Sequence, residues 1–344
     1  MSRGTDGAEA RGAVAPGEDA PGAAGVGTGW RPDVLGDGFE QRTLPLPGGA
    51  EATLVRHVPS VAPTGPPART AVLYVHGFVD YFFQRHLAEA FAAAGHAFYA
   101  VDLRGYGRSM AAHLRAGRDP NLVEDVAVHA QDLDAATSAV RAAGHERLVV
   151  LGHSTGGLVA ALWADARPGR LDALVLNSPW FDLNEGWLLR GPATRVIDAV
   201  GRFAPRLPVG RLHPHYGRAL HAGTGGEWDY DLAWKPHEGF PVRAGWFRSV
   251  RRAQRRVRRG LHVGVPVLVV ASARTGSHTK DHPDVLTTDS VLDVAHIRAG
   301  AQRLGDDVRF VQVDGGAHDL ALSPPPARER YLAEVLGFLA ERLG

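Results

Sequence analysis

Short apolar runs separated by longer amphipathic stretches restrict the architectures open to this chain. Thr70-Ala-Val-Leu-Tyr-Val75, His96–Val101, Leu148-Val-Val-Leu151, Leu174-Val-Leu176, Pro266-Val-Leu-Val-Val-Ala271 and Val308–Val313 are too short for helices. Most are rich in valine, as strands buried on both faces are. Between them apolar residues recur at helical spacing, over Gln84–Ala94 (closed by Gly95), Leu122–Ala143, the stretch from Leu158 onward, Val294–Leu304 and Ala327–Leu343. In Leu122–Ala143 the residues Val126, Leu133, Ala136 and Val140 share one side. Strands alternating with helices predict an α/β fold with a mostly parallel central sheet flanked by helices. Upstream, Thr43–Leu46 and Ala52–His57 read as strands joined at the Pro47-Gly48-Gly49 turn.

Two regions break this alternation. Residues 1–38 are Gly, Ala, Pro and acidic residues without a period. They carry too little apolar surface to offset the entropy of ordering, so a disordered tail is expected, with order beginning near Phe39. Residues 180–264 are dense in Trp, Pro, His and Arg. They read as an inserted, mainly helical cap that divides the core into 39–179 and 265–344.

Composition narrows the function. With 344 residues, 44% of them hydrophobic, the chain can bury one large core and carry an insertion. Basic and acidic residues number 38 and 37, so nothing draws the whole molecule to nucleic acid. Cysteine is absent, which excludes disulfides, thiolate metal sites and a cysteine nucleophile. No apolar run approaches the roughly 18 residues of a membrane span. The start of the chain lacks the basic and apolar regions of a signal peptide, so a cytoplasmic location is expected. The histidines form no ligand pattern with nearby carboxylates, and neither metal nor cofactor is expected. Lys235 and Lys280 are the only lysines in an otherwise arginine-based chain.

The strongest chemical signal is Leu148-Val-Val-Leu-Gly-His-Ser-Thr-Gly-Gly-Leu-Val159. A buried strand, a tight turn and a helix would expose Ser154 on a nucleophile elbow. Gly152 and Gly156 stand where the turn is too crowded for side chains. The Thr155 amide would point at whatever Ser154 attacks, backed by the positive end of the helix. A serine hydroxyl needs a base, and the base an orienting acid. His318 follows the last strand in Asp314-Gly-Gly-Ala-His318 and is the expected base. The acid should follow the Pro266–Ala271 strand, where Asp281, Asp284, Asp289 and Asp293 precede the next helix. Asp289 is favoured and Asp293 is the alternative, while Asp281 and Asp284 read as turn residues around Pro283. The second oxyanion amide is expected from Phe78, in the His76-Gly77-Phe78 loop that His76 would fix by hydrogen bonds.

His76-Gly-Phe, Asp102-Leu-Arg-Gly-Tyr-Gly-Arg-Ser109, Gly152-His-Ser-Thr-Gly-Gly157 and Gly315-Gly-Ala-His318 together resemble the α/β-hydrolase superfamily. Within it the chain is similar to the monoacylglycerol lipase and lysophospholipase branch, grouped with the serine aminopeptidase S33 families. The resemblance covers about residues 40–344 and departs at the acid loop, which is longer than usual. It implies an α/β-hydrolase fold and hydrolysis of carboxylic esters through an acyl-enzyme, on lipid-like or small acyl substrates. One alternative is an aminopeptidase that uses Glu185, Glu227 or Glu238 to pair with a substrate amine. Another is a catalytically silent ligand-binding protein.

The cap aromatics Trp180, Phe181, Trp187, Phe203, Trp228, Tyr230, Trp234, Trp246 and Phe247 divide between the cap's own core and an acyl pocket. Sequence alone does not sort them. Over 248–259 seven arginines surround Val250, Ala253 and Val257, which predicts a helix with one apolar side and a basic face. That face is either salt-bridged to neighbours or a peripheral contact for anionic lipid headgroups or phosphate. No obligate protein partner is evident.

Overall fold

The six apolar runs lie side by side in one sheet. In the computed structural model, which describes residues 29–59, 68–184 and 192–344, they are β4 (Thr70–Val75), β5 (Ala97–Asp102), β6 (Arg147–His153), β7 (Ala173–Asn177), β10 (Val267–Ser272) and β11 (Val308–Val313). They run parallel in the order β5-β4-β6-β7-β10-β11. The hairpin β2 (Phe39–Leu46) and β3 (Ala50–His57) adds to β5 antiparallel, and β1 (Arg31–Pro32) pairs with β2 at the edge. Within β6, Leu148 and Val150 face one helix layer and Val149 and Leu151 the other. The period of two thus serves two apolar faces, and the run reads as continuous valine and leucine.

Helices α3 (His129–Arg141), α4 (Thr155–Ala166) and α8 (Val294–Ala301) cover one face. Helices α1 (Arg85–Ala93) and α9 (Pro325–Leu343) cover the other. Two readings need correction here. The helix expected over Leu122–Ala143 begins only at His129, because Asp125 accepts a bond from the Ala127 amide and closes a separate 3-10 turn over Val126–Val128. A short helix, α2 (Met110–Arg115), was not anticipated.

The tail expected to run to residue 38 is placed from residue 29 on; residues 1–28 lie outside the described ones. Asp33 is buried and forms an ion pair with Arg108, 2.6 Å away. Arg108 also reaches Asp102 at 2.8 Å. The Asp102–Ser109 loop is thereby tied to the sheet edge by a guanidinium shared between two buried carboxylates, an arrangement in which each charge is compensated.

Between β7 and β10 the chain leaves the sheet and forms α5 (Pro192–Phe203), β8 (Pro208–Gly210), α6 (His215–Leu220), β9 (Val242–Arg243) and α7 (Ala244–Arg258). This segment is anchored in the core. Phe181, Trp246 and Val250 belong to the same apolar cluster as α3 and α4, and a side chain at Gly300 would collide with the Phe181 ring. Among the described residues no helix is long and apolar enough to cross a membrane.

Candidate active site

Ser154 occupies the turn between β6 and α4 with φ 52° and ψ −116°, a backbone region that few non-glycine residues adopt. Neighbouring glycines make room for it. A Cβ on Gly152 would lie 2.8 Å from the Gly156 carbonyl oxygen, and one on Gly156 would strike the carbonyls of Val75 and His76. The turn is held on its far side, where the Ser154 amide donates to Asn177 and the Ser154 carbonyl accepts from Trp180.

The loop after β11 brings His318 to the serine. Its Nε2 lies 3.0 Å from Ser154 Oγ, and its Nδ1 lies 3.0 and 3.1 Å from the two oxygens of Asp289. With Asp289 accepting at Nδ1, the neutral ring presents Nε2 as the acceptor for the Ser154 hydroxyl. All three residues are buried. Asp289 also accepts from the Val291 and Leu292 amides at 3.0 and 2.7 Å, which holds its carboxylate toward the ring.

The acid loop explains its own length. Asp289 pairs in a short bridge with Thr275, donates its amide to the Arg274 carbonyl and accepts at its own carbonyl from Gly276. The chain makes an excursion over 277–288 and returns the carboxylate to the end of β10. The structure brings Asp289, not Asp293, to His318. Asp293 caps α8 by accepting from the Ala295 amide at 2.8 Å. Asp281 and Asp284 are exposed in the excursion.

Phe78 and Thr155 both line the cavity beside Ser154. Neither of their amides donates to another group among the described residues, so both are available to a ligand oxygen. The Phe78 loop is fixed from several sides. His76, fully buried, has Nδ1 2.8 Å from the Gly77 carbonyl and accepts at Nε2 from the Leu103 amide. Burial pushes its pKa down, in keeping with a neutral ring. The Phe78 ring stacks on Trp246 at 4.0 Å. Next to it Val79 has φ 51°, a strained setting for a β-branched residue that nothing in the sequence announces.

Further residues escaped the sequence reading. Tyr216 of α6 meets the His318 ring edge to face and accepts from the Asp319 amide at 2.9 Å. The buried Asp319 carboxylate accepts from Asn177 and Gln84 at 2.7 and 3.1 Å, which pins the His318 loop to β7 and to the start of α1. His153 lies 4.9 Å from the His318 ring, and burial lowers its pKa, so no second positive charge competes with a protonated His318. Lys235 pairs with buried Asp80 in the cavity wall. Burial alone would raise the Asp80 pKa, but Lys235, His153 and His76 outweigh it and hold the carboxyl below its usual range.

Above Ser154 is a cavity of about 390 Å³. Trp180, Tyr230, Trp246 and Phe247 line it together with Val209, Leu212 and Val242. The other cap aromatics separate cleanly. Phe181 is in the core, Trp228 donates to the Leu322 carbonyl, Trp234 packs edge-on against Tyr81, and Phe203 is 80% exposed. Trp187 lies outside the described residues, as does Glu185. Glu227 and Glu238 are not brought to the cavity; they pair with Arg328 and Arg218 at the surface. Among the described residues no group of histidines and carboxylates is placed to hold a metal ion.

The arginine-rich stretch forms α7 with Val250, Ala253 and Val257 buried. Its basic residues do not all share one solvated face. Arg251 is buried and paired with Asp182, Arg248 and Arg255 reach Asp198, and Arg256 reaches Asp165.

This geometry agrees with what the chain is similar to. The family model described as serine aminopeptidase, S33 matches residues 66–324. A monoacylglycerol lipase of Mycolicibacterium smegmatis is 31% identical over 147 residues, 42% of this chain and 49% of the relative, so the match spans about half of that protein. Among solved structures, the monoacylglycerol lipase of Paleococcus ferrophilus superposes with a TM-score of 0.60 at 18% identity, over 81% of this chain and 96% of the other. A soluble variant of the Saccharomyces cerevisiae monoglyceride lipase gives 0.65 at 15% identity, over 88% and 96%. At such identities these two structures speak for the fold. Matched by the family model over most of its length and folded as its strand order requires, the chain belongs to the serine aminopeptidase S33 family of α/β-hydrolases.

Proposed function

We propose that this protein is a serine hydrolase that cleaves carboxylic esters, with lipid-like or small acyl substrates, through an acyl-enzyme. The observation that carries the reading is His318, set 3.0 Å from Ser154 Oγ on one side and 3.0 Å from Asp289 on the other, beneath a mostly apolar cavity. Ser154 Oγ attacks the ester carbonyl carbon as its proton passes to His318 Nε2. Asp289 holds the ring and stabilises the imidazolium. The amides of Phe78 and Thr155 receive the oxyanion. His318 then protonates the departing alcohol, later takes a proton from water, and the resulting hydroxide releases the acid from Ser154. The aromatic cap wall suits an acyl chain. The similarity to the monoacylglycerol lipase of Mycolicibacterium smegmatis supports lipid esters over other acyl substrates.

An amine-binding role has less support. The carboxylates lining the cavity among the described residues are Asp80 and Asp319, and both already have internal partners. The test is a panel of p-nitrophenyl esters of increasing acyl length, with an amino-acid arylamide as control. Ser154→Ala is expected to lower ester turnover by about 10⁴-fold or more while the fold persists. Turnover retained in that variant, or an arylamide preferred over every ester, would overturn the reading.

A further inference from the structure

A second cavity, of about 670 Å³, opens between α4, α7 and the 3-10 turn leading into α3. It shares no lining residue with the cavity over Ser154. Its floor is apolar, formed by Val126, Ala130, Val159, Leu162 and Trp163. Its edge is mostly basic: Arg167 follows α4, Arg252, Arg255, Arg256 and Arg259 come from α7 and its C-cap, and these five outnumber the carboxylates of Asp125 and Asp165 that also line it. The α7 arginines recur at three- and four-residue intervals, so they lie along one side of the helix.

Three of these five arginines are engaged. Arg167 pairs with Asp134, Arg255 with Asp198 and Arg256 with Asp165. The guanidinium groups of Arg252 and Arg259 are exposed and have no partner among the described residues. These two guanidinium groups stand beside the apolar floor with their charge uncommitted to any carboxylate among the described residues. Apolar floor and cationic rim together fit a ligand that is itself apolar at one end and anionic at the other. The volume falls in the range of small-molecule sites. The planar fork of arginine matches carboxylate and phosphate oxygens alike.

We propose that this groove binds a single-chain anionic amphiphile. The alkyl chain lies on Leu162 and Ala130, and the carboxylate or phosphate head rests on the Arg252–Arg256–Arg259 edge. The site is separate from Ser154 and does not depend on its chemistry.

Calorimetric titration of the full chain with dodecanoate, dodecyl phosphate, dodecan-1-ol and inorganic phosphate tests it. The two anionic amphiphiles distinguish a carboxylate from a phosphate head. Binding of either, tighter than inorganic phosphate, is expected, and dodecan-1-ol serves as the control for binding in the apolar Ser154 cavity. Anion binding should weaken on the order of tenfold or more in the double variant Arg252→Ala/Arg259→Ala, the scale set by losing charge-assisted hydrogen bonds. Both substitutions are at exposed positions, and an unchanged thermal midpoint checks the fold. To separate this groove from the Ser154 cavity, Ala130→Phe should also weaken anion binding while leaving dodecan-1-ol binding elsewhere intact. The proposal is overturned if neither anion binds, if inorganic phosphate binds as tightly as the anions, or if the double variant or Ala130→Phe binds the anions as wild type does.

Discussion

On the sheet side of the Ser154 cavity each group of the site sits close to a strand end and is held through the backbone. Ser154 follows β6 in a fixed turn, His318 follows β11, and Asp289 is hydrogen-bonded to the residues after β10. On the cap side most of the wall is made of side chains, with backbone contributed at Gly210 and Gly217. Tyr216, Lys235 and Trp246 come from three separate segments and are oriented by ring contacts, one ion pair and the bond that Tyr216 accepts from the Asp319 amide. The difference assigns the two walls different tolerances. Displacing a strand end moves several main-chain bonds at once, whereas exchanging a cap side chain that does not touch His318, such as Phe247 or Leu212, alters the shape of the cavity and leaves the Ser154–His318–Asp289 geometry in place. For the ester hydrolase proposed above, this arrangement would keep the chemistry fixed while the choice of acyl group varies.

The comparison can be broken most sharply at Asp289. Asp289→Asn is expected to cut ester turnover by about 10⁴-fold, because the amide favours the wrong tautomer of His318. Steady-state kinetics at saturating ester measures it, and a drop of less than tenfold would mean that the sheet side does not depend on this carboxylate. On the cap side, Lys235→Met strips buried Asp80 of its cation and should cost about 3–5 kcal/mol of stability. Denaturant unfolding reads that loss, and an unchanged midpoint would show that the pair is dispensable.

A third measurement, the thermal midpoint against pH, addresses the sheet side through two histidines at strand ends. Burial lowers the pKa of His76 and His153 from 6.5. Below about pH 6.5 the unfolded chain takes up protons at these rings and the folded chain does not, so stability falls as pH drops through this range and is flat above it. His153→Gln should flatten part of that slope. The smallest effect belongs to Asp293→Ala, which removes the cap of α8 for about 1 kcal/mol and should leave turnover of a short ester unchanged.

These contrasts follow what the sequence could and could not convey. Ser154 and His318 were legible because a valine-rich run fixes a strand, and the residues directly after it have few conformations open to them. The parallel sheet was legible for the same reason. Asp289 was legible only as one of several carboxylates, since a bridge to Thr275 forms across an excursion whose path has no period. Leu122–Ala143 was read too long because the Asp125 side chain competes with the helix at its start. The order of residues 29–38 was invisible because it rests on Asp33 finding Arg108, a long-range ion pair. In the cap, aromatics that line the cavity and aromatics that fill the core are the same residue types. Lys235 carried the one faint signal, as a lysine in a chain that otherwise uses arginine.

The acid loop has a consequence for how this chain can change. Its neck is closed by the Asp289 amide on Arg274 and the Gly276 amide on Asp289, so the residues of the excursion form a side branch whose ends are already joined. Lengthening such a branch adds only slowly to the entropy of closing it. Insertions or a grafted peptide at the exposed tip, residues 279–281, are therefore open to selection and to engineering, whereas Val285 and Thr288 are buried and His278 lines the Ser154 cavity, so the rest of the branch is held in place.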